Sequence, residues 1–313
     1  MSAGGLLGWF VVDALGIDIG GTKIAGAVVT ESGDILASAR RPTDASNPGA
    51  IISAVVDIVQ ELSPHPTGAT VGVAAAAFMD RARERVYFAP NIAWENFPLK
   101  AELETALQRP VRLENDANAA GWAEFRFGAA KDAHSMIMLT MGTGVGGAVI
   151  DGGVLMVGGF GSAGELGHIV IEPNGLECGC GNRGCLEQYA SGTALMRLAQ
   201  ERLGQEDLSP ANLADLLAEG NPAAHEVFAE VCDSMGRGIA SLVAVTDPET
   251  VVIGGGVAKA GAALGDLIQE RFLAHYPAAK RKPTATVVVA TLGNRAGVVG
   301  AADLARHDSA ATA

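Results

Sequence analysis

The sequence predicts a two-lobed α/β protein made of two related halves, and three observations predict it. Strand-like and helix-like stretches alternate along the chain, the pattern of layered α/β folds. An opening of strand, glycine turn, strand, turn, strand at 14–40 recurs in outline at 135–159. Setting Gly20 beside Gly142 brings AVV at 27–29 close to AVI at 148–150. The 41 glycines cluster at a few places instead of spreading as in a disordered chain. With 313 residues, 49% of them hydrophobic, the chain can bury a sizeable core in one large domain or two. A cleft between two lobes is a common place for a ligand.

Taken in order, ALGIDIGGTKIAGAVVTESGDILASAR (14–40) reads as three strands joined by a glycine turn and by the hairpin chemistry of SGD at 32–34. In PGAIISAVVDIVQEL (48–62) apolar residues fall at 51, 52, 55, 56, 59 and 62. That is helical spacing, and Pro48 suits a first turn. TVGVAAAAF (70–78) reads as a buried strand, LKAELETALQ (99–108) as a helix and VRLEND (111–116) as a strand. NAAGWAEFRFG (118–128) reads as a helix closed by Gly128. After the second glycine-turn opening come a cysteine-rich loop and helices at 185–203, 211–219 and 222–245. TVVIGGGV (250–257) is a strand running into glycines, followed by a helix (258–273), a strand (284–291) and a last helix (295–306). The expected organisation is a small N-terminal α/β lobe over 1–117 and a large lobe with the cysteine loop over 118–294. A C-terminal helix over 295–313 then packs back on the small lobe.

The formal net charge of −13 repels nucleic acid and anionic membranes, and no long basic stripe counters it. No stretch reaches the roughly 20 apolar residues that span a bilayer. The start, MSAGGLLGWFVV, is apolar, but no basic residue precedes the run and Asp13 ends it, unlike a secretory signal. It reads as a loose tail or an over-called start. The expected setting is cytoplasmic, with neither nucleic acid nor membrane as partner.

DIGGTK (18–23) follows an apolar strand. Such a turn exposes several N–H groups, and Thr22 and Lys23 add a hydroxyl and a cation, so it can hold phosphate oxygens or be a plain hairpin turn. It has neither Walker A nor GxGxxG spacing. GTGVGG (142–147) is similar, and two such turns in corresponding places can grip one polyphosphate. GGG (254–256) lets a flat ring lie against backbone, or simply turns the chain. LENDANAAGW puts Glu114, Asn115 and Asp116 at a strand end before a helix. Asn and Asp there serve as N-caps, or Asp116 accepts a proton from a hydroxyl attacking a phosphoryl group.

Three of the four cysteines lie in ECGCGNRGC at 177–185. In a cytosolic-looking chain they do not suggest a disulfide framework. His168, ten residues upstream of Cys178, joins Cys178, Cys180 and Cys185 in a tetrahedral zinc donor set. Four protein ligands make such a site structural; the rival is three thiols without metal. Cys232 falls in a predicted helix as an inert core residue.

With these residues in hand, the chain resembles the ROK family of repressors, open reading frames and kinases, and within it the actinobacterial-type glucokinases. The resemblance runs from about Leu15 to the last helix. Its most specific part is GSAGELGH…ECGCGNRGCLE at 161–187, and DIGGTK, APNIAW, LENDANAAGWAE and VVIGGGV fall in family order. It implies an actin-like, hexokinase-like ATPase fold with two lobes, and transfer of the ATP γ-phosphoryl to the 6-hydroxyl of glucose with Mg²⁺. It implies Asp116 as general base and Asn91, Asn115, Glu165, His168 and Glu187 as sugar contacts, with Asp116 itself at the sugar. Asp18, Gly20, Gly21, Thr22, Lys23, Thr140, Gly142, Thr143 and Gly144 would hold phosphates and Mg²⁺, and Gly254, Gly255 and Gly256 the adenosine side. A structural Zn²⁺ would fix the loop bearing His168, whose second ring nitrogen stays available to a hydroxyl. A homodimer is also implied.

Two departures stand out. After VGVA the family usually has Gly, often Pro-Gly, where this chain has Ala77, so a turn needing positive φ would be strained. Before Gly158 the family often has a basic residue, and here stands Val157. Other readings are a kinase for N-acetylmannosamine, N-acetylglucosamine, fructose or allose, polyphosphate as donor, and a non-catalytic sugar-sensing regulator. Such regulators carry a winged helix, and only 17 residues precede Asp18 here. Two lobes with donor and acceptor sites predict closure on sugar binding.

Overall fold

The computed structural model describes residues 13–63 and 70–311. The apolar opening stretch, residues 1–12, lies outside them. The chain divides into two compact units, Met1–Ala123 with Gly297–Ala313, and Glu124–Ala296.

In the first unit β1 (Ala14–Ile19), β2 (Lys23–Val29) and β3 (Ile35–Pro42) form an antiparallel meander. Helix α1 (Pro48–Leu62) follows. Asn47 caps it by accepting from the Ala50 N–H, and Ile51, Val55, Ile58 and Val59 make its buried face. Strand β4 (Val71–Ala75) lies parallel to β1. The predicted strand at 70–78 is thus shorter: the Ala77 N–H turns back onto the Ala75 carbonyl at 2.8 Å. Ala77 is not among the residues with positive φ, so alanine sits there without the expected strain. Next comes a small antiparallel sheet that the sequence did not disclose, of β5 (Phe78–Met79), β6 (Val86–Phe88) and β7 (Glu95–Phe97). Helix α2 (Leu99–Leu107) leads to β8 (Val111–Asn115), parallel to β4, and α3 (Asp116–Phe127) starts with no loop between. Asp116 is therefore the first helical residue and not the end of the strand.

In the second unit β9 (Met136–Met141), β10 (Val145–Asp151) and β11 (Val154–Leu155) repeat the meander. The predicted helix at 185–203 is two, α4 (Glu187–Ala190) and α5 (Gly192–Leu203). They are split at Ser191, whose side chain caps α5 through the Ala194 N–H. Helices α6 (Pro210–Ala218) and α7 (Pro222–Thr246) each begin on proline behind a polar cap, Ser209 and Asn221. Strand β12 (Thr250–Gly254) runs parallel to β9. The predicted helix at 258–273 breaks at Gly261, φ 72°, into a 3₁₀ turn and α8 (Ala262–His275). Strand β13 (Thr286–Val289) and α9 (Ala296–Ala311) complete the chain.

The two large sheets have one plan. Their orders are β3-β2-β1-β4-β8 and β11-β10-β9-β12-β13, with two parallel neighbours added to the meander in each. β1 and β9, and likewise β2 and β10, start a constant 122 positions apart, the offset that pairs Gly20 with Gly142. The duplication is hexokinase-like. Each unit has its own core, with Ile17, Val73 and Leu113 central in the first and Leu139, Val231 and Phe272 in the second. Among the described residues no helix is long and apolar enough to cross a membrane.

Helix α9 closes the first unit at backbone distance. A Cβ on Gly16 of β1 would stand 2.0 Å from the Val298 carbonyl oxygen, and one on Gly72 of β4 1.8 Å from that of Ala301. Trp122 Nε1 donates to the buried Asp303 carboxylate at 2.9 Å, fastening α3 to the same helix. Gly72→Ala should therefore cost about 1–3 kcal/mol of stability, and more if α9 undocks. Gly49→Ala, in helix α1 with its nearest neighbour 3.5 Å from a new Cβ, should be neutral or gain up to about 1 kcal/mol. Chemical denaturation of the two variants checks the contrast.

Candidate active site and metal cluster

On the first unit the candidate residues gather at the C-terminal ends of β1 and β8. The turn after β1 is pinned on both sides. The Gly20 N–H donates to the Lys23 carbonyl, the Thr43 hydroxyl to the Gly20 carbonyl at 2.7 Å, and the Thr43 N–H to that of Thr22. Neither Gly20 nor Gly21 needs positive φ. Gly21 matters for contact instead: a Cβ there would come within 3.0 Å of the Asn91 Cβ. This brings Asn91, in the loop between β6 and β7, against the glycine turn.

Asn115 caps α3. Its Oδ1 accepts from the Ala117 and Asn118 N–H groups at 2.9 and 3.1 Å, and its Nδ2 donates to the Ala77 carbonyl at 3.3 Å. The cap is thus Asn115, which leaves the Asp116 carboxylate at the first helical position, where the N–H groups of α3 favour negative charge. Burial raises the Asp116 pKa, opposed by its backbone N–H contacts. Asp18, on β1, is pushed up to about 7, first by burial and then by the nearby Asp116 charge, with Lys23 pulling the other way. Gly297 presses on Asp18 from α9, since a Cβ there would lie 2.7 Å from Oδ2.

On the second unit, the turn after β9 is held by Gly142, whose N–H donates to the Gly144 carbonyl and whose carbonyl accepts from Gly192. Thr140 Oγ1 accepts from the Gly146 N–H at 3.1 Å, closing the hairpin. Of the three glycines after β12, Gly255 has φ 86° and passes so close to the Met141 backbone that a Cβ would lie 2.5 Å from its carbonyl oxygen. A cavity of about 770 Å³ opens beside these turns, lined by Gly142, Thr143 and Gly256 and walled by Met196, Leu213 and Phe228. Thr193 and Lys259 also line it. Sequence reasoning missed both, although Ser191-Gly192-Thr193 at a helix start was a visible signal.

The cysteine loop folds around one point. One donor atom from each of His168, Cys178, Cys180 and Cys185 lies within 4.8 Å of the others. The Cys178 Sγ is 3.6 Å from His168 Nδ1, and the Cys180 and Cys185 sulfurs are 3.6 Å apart. With Zn–S near 2.3 Å, a tetrahedral edge is about 3.8 Å, so the donor set fits zinc in spacing as well as in chemistry. The loop reaches this shape through Gly184, φ 79°, where a Cβ would strike the Glu172 carbonyl oxygen at 1.8 Å. His168 turns Nδ1 to the sulfurs and Nε2 toward Glu165 Oε2 at 3.9 Å. Glu187 lies alongside, Oε1 3.0 Å from the Cys178 sulfur, and its other oxygen abuts Gly144. Cys232 stands apart on α7, wholly buried, its thiol pushed up to about 12 by burial.

The chain matches the model of the ROK family over residues 14–308. It is 41% identical over 309 residues to a glucokinase of Streptomyces coelicolor, covering 94% of this chain and 97% of that one. It is 35% identical to an N-acetylmannosamine kinase of Escherichia fergusonii, covering 94% and 98%. Among solved structures, a ROK family glucokinase from Streptomyces griseus in complex with glucose and AMPPNP superposes with TM-score 0.86. It is 40% identical, with 95% of this chain and 100% of that one covered. A ROK hexokinase from Thermus thermophilus gives 0.84 at 34% identity, covering 96% and 100%.

Asp18 also yields a stability signature. Between its unfolded value of 3.8 and about 7, the folded chain keeps a proton that the unfolded chain has lost, so this residue costs stability as pH rises through that window. Asp18→Asn should therefore be more stable than the parent at pH 8, by about 2–4 kcal/mol. The advantage should vanish near pH 4. Thermal melts of both proteins across this range test it.

Proposed function

The chain belongs to the ROK family, and on that premise we propose that it is a glucokinase, transferring the γ-phosphoryl group of ATP to the 6-hydroxyl of glucose. The observation that carries the reading is the corner where β8 becomes α3. There a desolvated carboxylate, Asp116, is held at a helix N-terminus beside a second acid, Asp18, and a cation, Lys23. The 41% identity to a glucokinase over nearly the whole chain supports the same substrates.

In this mechanism Asp116 accepts the proton of the attacking hydroxyl, and its raised pKa makes it the stronger base. Asn115 has one Nδ2 hydrogen left after capping α3 and meeting Ala77, and donates it to the sugar. Asn91, Glu165, His168 through Nε2, and Glu187 bind the remaining hydroxyls. The turns at Gly20–Lys23 and Thr140–Gly144, with Asp18, take the phosphates and magnesium, and the cavity beside Gly256 takes the adenosine. Bound Mg²⁺ supplies the positive charge that offsets the transferring phosphoryl group. His168 Nδ1, Cys178, Cys180 and Cys185 would hold a structural zinc, which would fix the His168 ring and the start of α4 that carries Glu187.

ADP formation with Mg-ATP over a panel of hexoses and N-acetylhexosamines tests the reading. Glucose should be the best acceptor, and Asp116→Asn should lose about 10²–10⁴-fold in kcat with glucose affinity within a few-fold of the parent. Preference for N-acetylmannosamine would move the assignment to that branch of the family, and no turnover on any sugar would remove the kinase reading. Metal analysis should find one zinc per chain, kept in Cys232→Ala and lost in Cys185→Ala. Loss of the metal should weaken glucose binding, read by calorimetry, more than nucleotide binding.

A further inference from the structure

One buried ion pair lies directly behind the Asn115–Asp116 corner, and nothing in the mechanism above uses it. Glu114, next to last in β8, is 1% exposed, and Arg83, in the turn between β5 and β6, is 5% exposed. Their side chains meet at 2.7 Å. Glu114 Oε1 also accepts from the Asn115 N–H at 2.9 Å and from Asn118 Nδ2 at 3.0 Å. One oxygen therefore holds the last peptide of the strand, the first turn of the helix and a guanidinium together.

The turn that delivers Arg83 is built at a cost. Arg83 has φ 56°, a left-handed conformation that disfavours a non-glycine residue by about 1–2 kcal/mol. Asp80 enforces it: its carbonyl accepts from the Arg83 N–H and from Arg83 Nη1 at 3.0 Å. Its Oδ1 accepts from the Glu84 and Arg85 N–H groups at 2.8 and 3.1 Å. A buried pair of this kind is weak evidence for stability, since well-packed apolar residues often do as well. Strain and buried charge retained together beside a reacting group point to geometry as their use.

Resting on the glucokinase reading, we infer that Arg83 is a positioning residue for phosphoryl transfer, acting through Glu114 to fix the Asn115–Asp116 corner. Arg83 holds Glu114, and Glu114 holds the Asn115 N–H and the first turn of α3. The direction in which Asp116 presents its carboxylate follows from that corner, and a displacement near 1 Å is enough to slow a reaction about a hundredfold. Nucleotide binding uses neither Asn115 nor Asp116, and Asn115 is one of several sugar contacts, so loss of the pair should appear chiefly in kcat and leave KM for ATP unchanged.

The experiment is steady-state kinetics on glucose and Mg-ATP, below the melting temperature of every protein used, for the parent, Arg83→Gln, Arg83→Lys, Glu114→Gln and the double variant Arg83→Gln/Glu114→Gln. Expected are kcat losses of about 10–100-fold in Arg83→Gln and Glu114→Gln with KM for ATP within about threefold of the parent. Arg83→Lys, which keeps the cation, should recover at least half of the loss on a logarithmic scale. The double variant should be no slower than the worse single one, because both changes break one linkage. If Arg83→Gln does not fold, Glu114→Gln, which keeps the shape and the accepting oxygen, carries the same prediction. A kcat within twofold of the parent in the folded variants overturns the inference. So does a loss shared by kcat and both KM values, or one that follows the unfolded fraction. A parent inactive on every sugar overturns the glucokinase reading and the inference with it, whereas an active parent with unaffected variants overturns the inference alone.

Discussion

The carbonyls of Val298 and Ala301 occupy the space that side chains on Gly16 and Gly72 would need, and the first unit depends on that exclusion. Backbone-to-backbone docking of α9 onto β1 and β4 sets the depth of the sheet beneath it. Asp18 is next to last in β1, β4 runs into the Ala77 turn, and β8 beside β4 ends in Asn115. The same helix sets Gly297 against the Asp18 carboxylate and fastens α3 through Trp122 and Asp303. Every polar group at the corner is thus placed from a scaffold with little freedom to shift, which is what positioning within fractions of an ångström requires.

Much of this was legible in the sequence because it follows from strong local rules. Helix α1 appears as read, since Asn47, Pro48 and a 3.6-residue apolar period agree with one another. The half-repeat was legible as a turn pattern, and the constant offset of 122 positions shows why: both strands of each hairpin were kept without insertion. The His168, Cys178, Cys180 and Cys185 donor cluster was legible from residue types alone, three thiols and an imidazole within 18 positions.

What stayed hidden depends on contacts distant in sequence or on short elements. Strands of two and three residues, such as β5 and β6, carry too little periodicity to stand out. Ala77 looked strained because the family pattern suggested a glycine conformation, whereas the chain turns there at negative φ and uses the Ala77 carbonyl to hold Asn115. Arg83 reads as one more charge in DRARER, and only the fold brings it to Glu114. The walls of the cavity, Met196, Leu213 and Phe228, come from three helices, and no local pattern unites them.

The first unit is discontinuous in the chain, and the second, Glu124–Ala296, is one uninterrupted stretch. On the ribosome this order matters, because domains generally fold as units as they emerge. The second unit has all its strands once β13 is made. The first waits with the bare backbone of Gly16 and Gly72 uncovered until α9, the last of the described elements, emerges. Asp18 and Trp122 acquire their α9 neighbours only then. A chain cut short before Gly297 would keep both carboxylates in its sequence and the whole metal loop, yet it would lack the helix that sets β1 and α3 in place.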